Sequence, residues 1–151
     1  MRVIDGDLLE FALAGEFDVI VHGCNCHCTM GAGIAKAIKA RFPDAYAADL
    51  ATAKGDRRKL GTISFAKIER PPRSLVVVNA YTQYDWRGSG KKVDYDAIRT
   101  ALQLVKRTFG GKRIGYPMIG AGLAGGDWAD IAPIIDTALS GEDHTLVRYA
   151  P

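Results

Sequence analysis

The short run His22-Gly23-Cys24-Asn25-Cys26-His27-Cys28 holds two of the three histidines and all three cysteines of the chain. Its imidazoles could carry a proton near neutral pH, its Asn25 amide can donate and accept at once, and its thiols raise the question of metal or redox chemistry. The spacing answers that question. Alternate residues of an extended segment point to opposite sides, and zinc sites usually place about two to four residues between paired cysteines. An odd set of near-neighbour thiols is also poor geometry for a disulfide framework. Reduced thiols and no metal are expected. A carboxylate, Asp127, stands elsewhere in the chain just before Trp128. It could orient or deprotonate a water, or simply cap the helix that Trp128 opens.

Both groups adjoin glycine-rich runs. Met30-Gly31-Ala32-Gly33-Ile34-Ala35 follows the first, and Ile119-Gly120-Ala121-Gly122-Leu123-Ala124-Gly125-Gly126 leads into Asp127. Small residues let backbone N–H groups approach phosphate oxygens, and a helix N-terminus favours their charge. Two such loops at the ends of two strands can grip one phosphorylated ligand from both sides; close packing alone would account for one loop but not for two. A nucleotide or sugar phosphate is the expected ligand. Gly31-Ala32-Gly33 is only half of a dinucleotide fingerprint, because Lys36 stands where a third glycine belongs, and the lysine and hydroxyl of a P-loop are absent.

The elements that must position these loops follow from hydrophobic periodicity. Met1 to Ile4 reads as a first strand, Leu8 to Ala14 as a short helix, and Asp18 to His22 as a continuous apolar strand stopped by Gly23. A helix opens at Gly33, with Ile34, Ala35, Ile38 and Phe42 on one face, and Pro43 ends it; a second covers Ala45 to Lys54. Thr62 to Ile68 and Leu75 to Ala80 read as strands joined across Pro71-Pro72, and Tyr81 to Lys92 as a loop. Tyr95 to Phe109 is a helix, Arg113 to Met118 a strand, Trp128 to Leu139 a helix and His144 to Tyr149 a last strand. Such alternation predicts an α/β fold in three layers, with ligands at the carboxyl ends of the strands, where both glycine loops fall.

With 151 residues, 48% of them hydrophobic, the chain suits one domain over residues 1–151 with a real core. The net charge of +3 is dispersed apart from Lys54 to Lys59, which reads as a solvated loop. No stretch nears the ~20 apolar residues of a membrane span, and the first residues lack a signal-peptide layout. A cytoplasmic, intracellular protein without membrane contact is expected.

Four segments in order carry a family resemblance over nearly the whole chain. They are Gly6-Asp7-Leu8, Val19 to Asn25, Met30 to Ala35, and Ile119 to Trp128. Together they resemble a macro domain, and His22-Gly23-Cys24-Asn25-Cys26 resembles the ADP-ribose-1″-phosphate processing branch of that family. The resemblance implies a three-layer α/β/α domain around a mixed, mostly parallel six-stranded sheet, with ADP-ribose across its upper edge. It implies that Asp7 accepts from the adenine amino group beside Gly6 and Leu8, and that backbone amides from Met30 to Ala35 and from Ile119 to Gly125 hold the diphosphate. Asn25 would face the distal ribose. The expected activity is hydrolysis of the 1″-phosphate, with Asp127, His27, His22 and Asn25 as candidate catalytic groups and no cofactor.

Two other activities stay open in the residues: an ADP-ribose-binding module without turnover, and a hydrolase that removes ADP-ribose from protein or nucleic acid. Family members of the last kind resemble this chain but use a lysine after the central strand or an aspartate after the second loop's Gly-x-Gly-Leu. Gln83 and Ala124 stand there instead, and neither can form a Schiff base or take a proton, which leaves Lys91 or Lys92 of the same loop as the lysines that could reach in. Expected partners are ADP-ribose or ADP-ribose-1″-phosphate, with ADP-ribosylated macromolecules beyond them, and the chain is expected to be a monomer. Tyr84 and Trp86 read either as ligand-packing rings or as a plug on their own loop.

Overall fold

Strand β2 (Val19–Cys24) is buried along almost its whole length because parallel strands flank it on both sides and helices cover both faces. Successive side chains of a strand face opposite ways. Val19 and Val21 accordingly enter one core with Ile98, Leu102, Ile131 and Ile135, while Ile20 enters a second core with Leu9, Ile38, Phe42 and Val77. The computed structural model describes residues 1–151.

The sheet runs β1-β6-β5-β2-β4-β3, from β1 (Arg2–Gly6), β6 (Asp143–Tyr149) and β5 (Arg113–Tyr116) through β2 to β4 (Arg73–Tyr81) and β3 (Ile63–Arg70). All neighbours are parallel except β3 and β4, which form an antiparallel hairpin. Helices α1 (Leu8–Leu13), α2 (Gly33–Arg41) and α3 (Pro43–Leu50) supply the Ile20 side. Helices α4 (Tyr95–Phe109) and α5 (Trp128–Ala138) supply the other. This is the mixed, mostly parallel six-stranded sheet in three layers that the sequence predicts. No helix is long and apolar enough to cross a membrane.

The departures have local causes. Gly23 does not stop β2: it pairs with Ala80 inside the ladder, and a Cβ there would lie 2.7 Å from Thr82 Oγ1. The glycine answers a close approach rather than a turn. Pro43 ends α2 but also opens α3, at the first helical position, where its missing N–H costs nothing. That helix stops at Leu50, well short of Lys54, and a 3₁₀ turn, Arg57–Lys59, occupies part of the expected solvated loop. Strand β5 ends at Tyr116, ahead of Pro117, which has no N–H to give a ladder.

Candidate functional site

The carboxyl ends of β1, β5, β2 and β4 lie along one edge of the sheet, in that order. Each feeds a loop that carries expected site residues. Asp7 leaves β1 in extended conformation and caps α1, its Oδ1 accepting from Leu9 N at 2.9 Å and Glu10 N at 3.2 Å. Its Oδ2 has no partner in the chain. Capping and a second acceptor role therefore coexist on one carboxylate. Gly6, at φ +151°, leaves no room for a side chain, since a Cβ would sit 2.6 Å from the Phe11 ring. Leu8 is buried and packs into the core beneath the Asp7 turn.

Helices α1, α4 and α5 are capped by the side chains of Asp7, Asp94 and Asp127. Helix α2 is not, for its N-cap is Ala32. The amides of Gly33, Ile34 and Ala35 donate to no group in the chain, nor do those of Gly122, Leu123 and Ala124 in the β5–α5 loop. These two sets belong to loops that meet: a Cβ on Gly33 would lie 3.5 Å from Leu123 Cδ1, while Gly31 and Gly122 face open space. Unsatisfied N–H groups at a helix start favour anions. The arrangement is an anion grip built from backbone.

Neighbouring residues fix the two loops. Met30 and Ile119 are buried, and Ala121 and Ala124 pack against the α4–α5 core. Gly120 at φ +78° would bring a Cβ to 2.7 Å from Val93, and Gly125 at φ +77° to 3.1 Å from Gly90 O. Both positions demand glycine. Ala124 O accepts from Lys92 N at 2.8 Å and Val93 N at 3.2 Å, which ties this loop to the one after β4.

Among the four candidate catalytic groups, the structure buries two, His22 and Asn25. His22 is wholly buried, and its Nε2 lies 2.7 Å from Asn79 Oδ1. Burial pushes its pKa down to about 4, against the smaller opposing pull of Asn79. A neutral histidine with no path to solvent cannot serve as an acid, so this expectation is corrected. Asn25 is also buried and spends its amide on its own loop, with Nδ2 donating to Thr29 O and Oγ1 and Oδ1 accepting from His27 N. It staples the β2–α2 connection rather than offering its donors to a sugar.

His27 and Asp127 keep free atoms. His27 lies edge-on to Tyr84, with ring centroids 4.8 Å apart, and its Nε2 is 3.8 Å from Asp85 Oδ2. That nitrogen is enclosed and has no hydrogen-bond partner. Asp127 caps α5 through Oδ1 on Ala129 N at 2.9 Å, its own N–H donates to Tyr95 OH, and Oδ2 is unengaged. Of the alternatives for Tyr84, the packing favours the plug: its hydroxyl donates to Gly55 O at 2.8 Å and Arg57 lies over its ring. Trp86 remains 44% exposed.

Sequence reasoning missed the support beneath this edge. Lys59, expected in solvent, is buried; Nζ donates to Cys26 O at 3.1 Å and sits 4.6 Å from the Tyr81 ring centroid. Tyr81 OH in turn donates to buried Asp49 Oδ1 at 2.8 Å. Nothing in the basic run marks Lys59 apart from its neighbours. The thiols turn to different partners, Cys26 to Gln83 O and Cys28 to Asp49 O, and burial raises the pKa of Cys24 and Cys26. Gln83 is held by a bridge to Val93, with Oε1 enclosed and unpartnered. The larger cleft lies elsewhere, at the amino ends of β4 and β5 among Phe17, Asp18, Arg73 and Arg113, away from both glycine loops.

Residues 21–135 match the family model for the macro domain. The chain belongs to that family. An uncharacterized 17.5 kDa protein of Enterobacteria phage T4 is 34% identical over all of this chain and 97% of its own length. A DNA ADP-ribosyl glycohydrolase of Mycobacterium tuberculosis is 29% identical over 97% of this chain, which spans only 41% of that protein. An ADP-ribose 1″-phosphate phosphatase of Candida albicans is 24% identical over 86% of this chain and 88% of its own. Among solved structures, the macrodomain of Mycobacterium tuberculosis DarG superposes with a TM-score of 0.76 at 23% identity, covering 99% of this chain and 97% of that one.

Proposed function

We propose that this macro domain binds ADP-ribose along its carboxyl edge and hydrolyses ADP-ribose-1″-phosphate to ADP-ribose and inorganic phosphate. The observation that carries the reading is the pair of facing amide sets, Gly33 to Ala35 and Gly122 to Ala124. A diphosphate between them is bound by N–H donors and the α2 dipole. Adenine then extends toward β1, where Asp7 Oδ2 accepts from its amino group, and the distal ribose extends toward β4.

At the 1″ position a water attacks phosphorus in line, the bond from phosphorus to the sugar oxygen breaks, and that oxygen takes a proton. Asp127, through its free oxygen, directs the water and takes a proton from it, and the sugar oxygen takes its proton from solvent, since the Nε2 of His27 is enclosed. Removal of ADP-ribose from DNA is the second reading, favoured by the similarity to the mycobacterial glycohydrolase. Gln83 and Ala124 stand against it, because neither side chain can act as base or nucleophile.

Phosphate release from ADP-ribose-1″-phosphate, with ADP-ribose affinity measured calorimetrically on the same sample, tests the reading. Asp127→Asn preserves the cap and is expected to keep affinity while turnover falls about 100-fold or more. Tight binding with no phosphate release by the unaltered protein would leave a binding module only.

A further inference from the structure

Beneath the β2–α2 loop a cysteine and a lysine meet in a way that the proposed reaction does not use. Cys28 is the one non-glycine residue with a positive φ, 58°, a backbone state that side chains rarely adopt. It is buried, with Sγ 3.2 Å from Asp49 O, 3.5 Å from Thr52 Oγ1 and 3.5 Å from Lys59 Nζ. Lys59 is only 7% exposed, and its partners are Cys26 O at 3.1 Å and the Cys28 sulfur rather than a carboxylate. Lysines so enclosed are ordinarily paired with an acid. Asp49, buried in the same cluster, gives Oδ1 to Tyr81 OH and leaves Oδ2 without a partner.

The other two thiols have no amine against them. Cys24 Sγ lies against the His22 ring, and Cys26 Sγ donates to Gln83 O at 3.5 Å. Burial raises the pKa of both, which holds them as thiols. All three cysteines are free. Oxidation at a cysteine sulfur passes through a sulfenic acid, which condenses with a nitrogen held beside it. Only Cys28 has such a nitrogen from a side-chain amine, and Asp49 O and Thr52 Oγ1 on the same sulfur are ready partners for a sulfenic hydroxyl.

We propose that Cys28 and Lys59 form a redox modification site, at which a peroxide joins them through a sulfur–nitrogen bond. The Cys28 sulfur gives an electron pair to a peroxide oxygen, the O–O bond breaks, and one water leaves with the sulfur oxidised to sulfenic acid. The Lys59 nitrogen, its extra proton released to solvent, then bonds to sulfur as the S–O bond breaks and a second water leaves. The sulfenamide so formed is spared the irreversible steps of further oxidation. Two thiols of a reductant reverse it: their hydrogens return to sulfur and nitrogen, and they leave as a disulfide. The bond ties the turn before Met30 to the Arg57–Lys59 turn across α2 and α3. It forms whichever reaction the ligand edge performs.

The test treats the intact protein with hydrogen peroxide and reads its mass before and after a thiol reductant. A product lighter by two hydrogens is expected, returning to the starting mass on reduction. Peptide mapping should find the Cys28 and Lys59 peptides joined, with no tryptic cleavage after Lys59. Lys59→Arg keeps the cation but removes the amine; it should lose no hydrogens and should leave a sulfenic acid at Cys28 that a cyclic diketone captures. Cys24→Ser/Cys26→Ser should still cross-link, which separates the S–N bond from a disulfide. Closing the chain between Cys28 and Lys59 should also raise the melting temperature by about 5 °C or more, a gain that the reductant abolishes. A two-hydrogen loss that persists in Lys59→Arg would mark a disulfide and overturn the inference. Oxygen added to the unaltered protein with Lys59 still open to trypsin would overturn it equally. Should Lys59→Arg fail to fold, the peptide map of the unaltered protein decides alone.

Discussion

One carboxylate oxygen decides whether Asp7 is a structural residue or a binding one. Asp7→Ser retains a capping oxygen and should leave the melting temperature within a degree or two, since serine caps nearly as well. It removes the second acceptor, so ADP-ribose affinity measured by calorimetry should fall about tenfold or more; an unchanged affinity would reduce Asp7 to a cap. His22 has a different signature. Its ordinary pKa is 6.5 and its folded one about 4, so the unfolded chain binds a proton across that window and the native state does not. Stability is therefore complete above pH 6.5 and declines as pH falls toward 4, by about 3 kcal/mol from this group alone. His144, also lowered by burial, adds in the same direction. Urea denaturation at pH 7 and 4.5 reads the slope, and equal stabilities would contradict it. The capping role of Asp7 was legible because a carboxylate before a helix has local meaning. The engagements of His22 and Asn25 were illegible, because their partners, Asn79 across the sheet and Thr29 around the loop, exist only once the chain is folded.

Helix α2, unlike α1, α4 and α5, has no side chain capping its first turn. Ala32→Asp would give it the carboxylate cap that α1, α4 and α5 have, and should raise stability by about 1 kcal/mol. The same carboxylate would sit where the diphosphate belongs, so binding should be lost while the melting temperature rises. A variant that gained stability and still bound ADP-ribose would place the phosphates elsewhere. The glycine loops were legible because their demands are backbone demands: positive φ at Gly33, Gly120 and Gly125, and open space at Gly31 and Gly122. Element boundaries were less so. Pro43 could end one helix or begin another, and it does both. Lys59 was illegible, since its burial depends on Tyr81 and Cys26 arriving from two other strands' ends.

At the scale of the molecule, the grip joins loops that otherwise belong to different layers, α2 on one face of the sheet and α5 on the other. A ligand that bridges them stabilises the native state as a whole. ADP-ribose at about 100 times its dissociation constant should add about 2.7 kcal/mol and raise the melting temperature by about 5–10 °C. A shift near zero under saturation, checked by calorimetry, would mean that ADP-ribose binds the unfolded chain as well as the native one. The three-layer architecture itself was readable from alternation of strand and helix patterns, because each pattern reports which face of an element is covered. Strand order was not, because neighbours in the sheet are not neighbours in the chain.

The pairing of β1 with β6 joins Arg2–Gly6 to Asp143–Tyr149, and Arg148 reaches back to Asp5 at 2.7 Å. Contacts between segments so remote in sequence close late, because the whole intervening chain must first be ordered. During synthesis β1 emerges first yet has no ladder partner until the final strand is out. In the proposed binding mode the adenine end of the cleft, although built from the first residues, therefore depends on the last strand to hold the Asp7 turn in place.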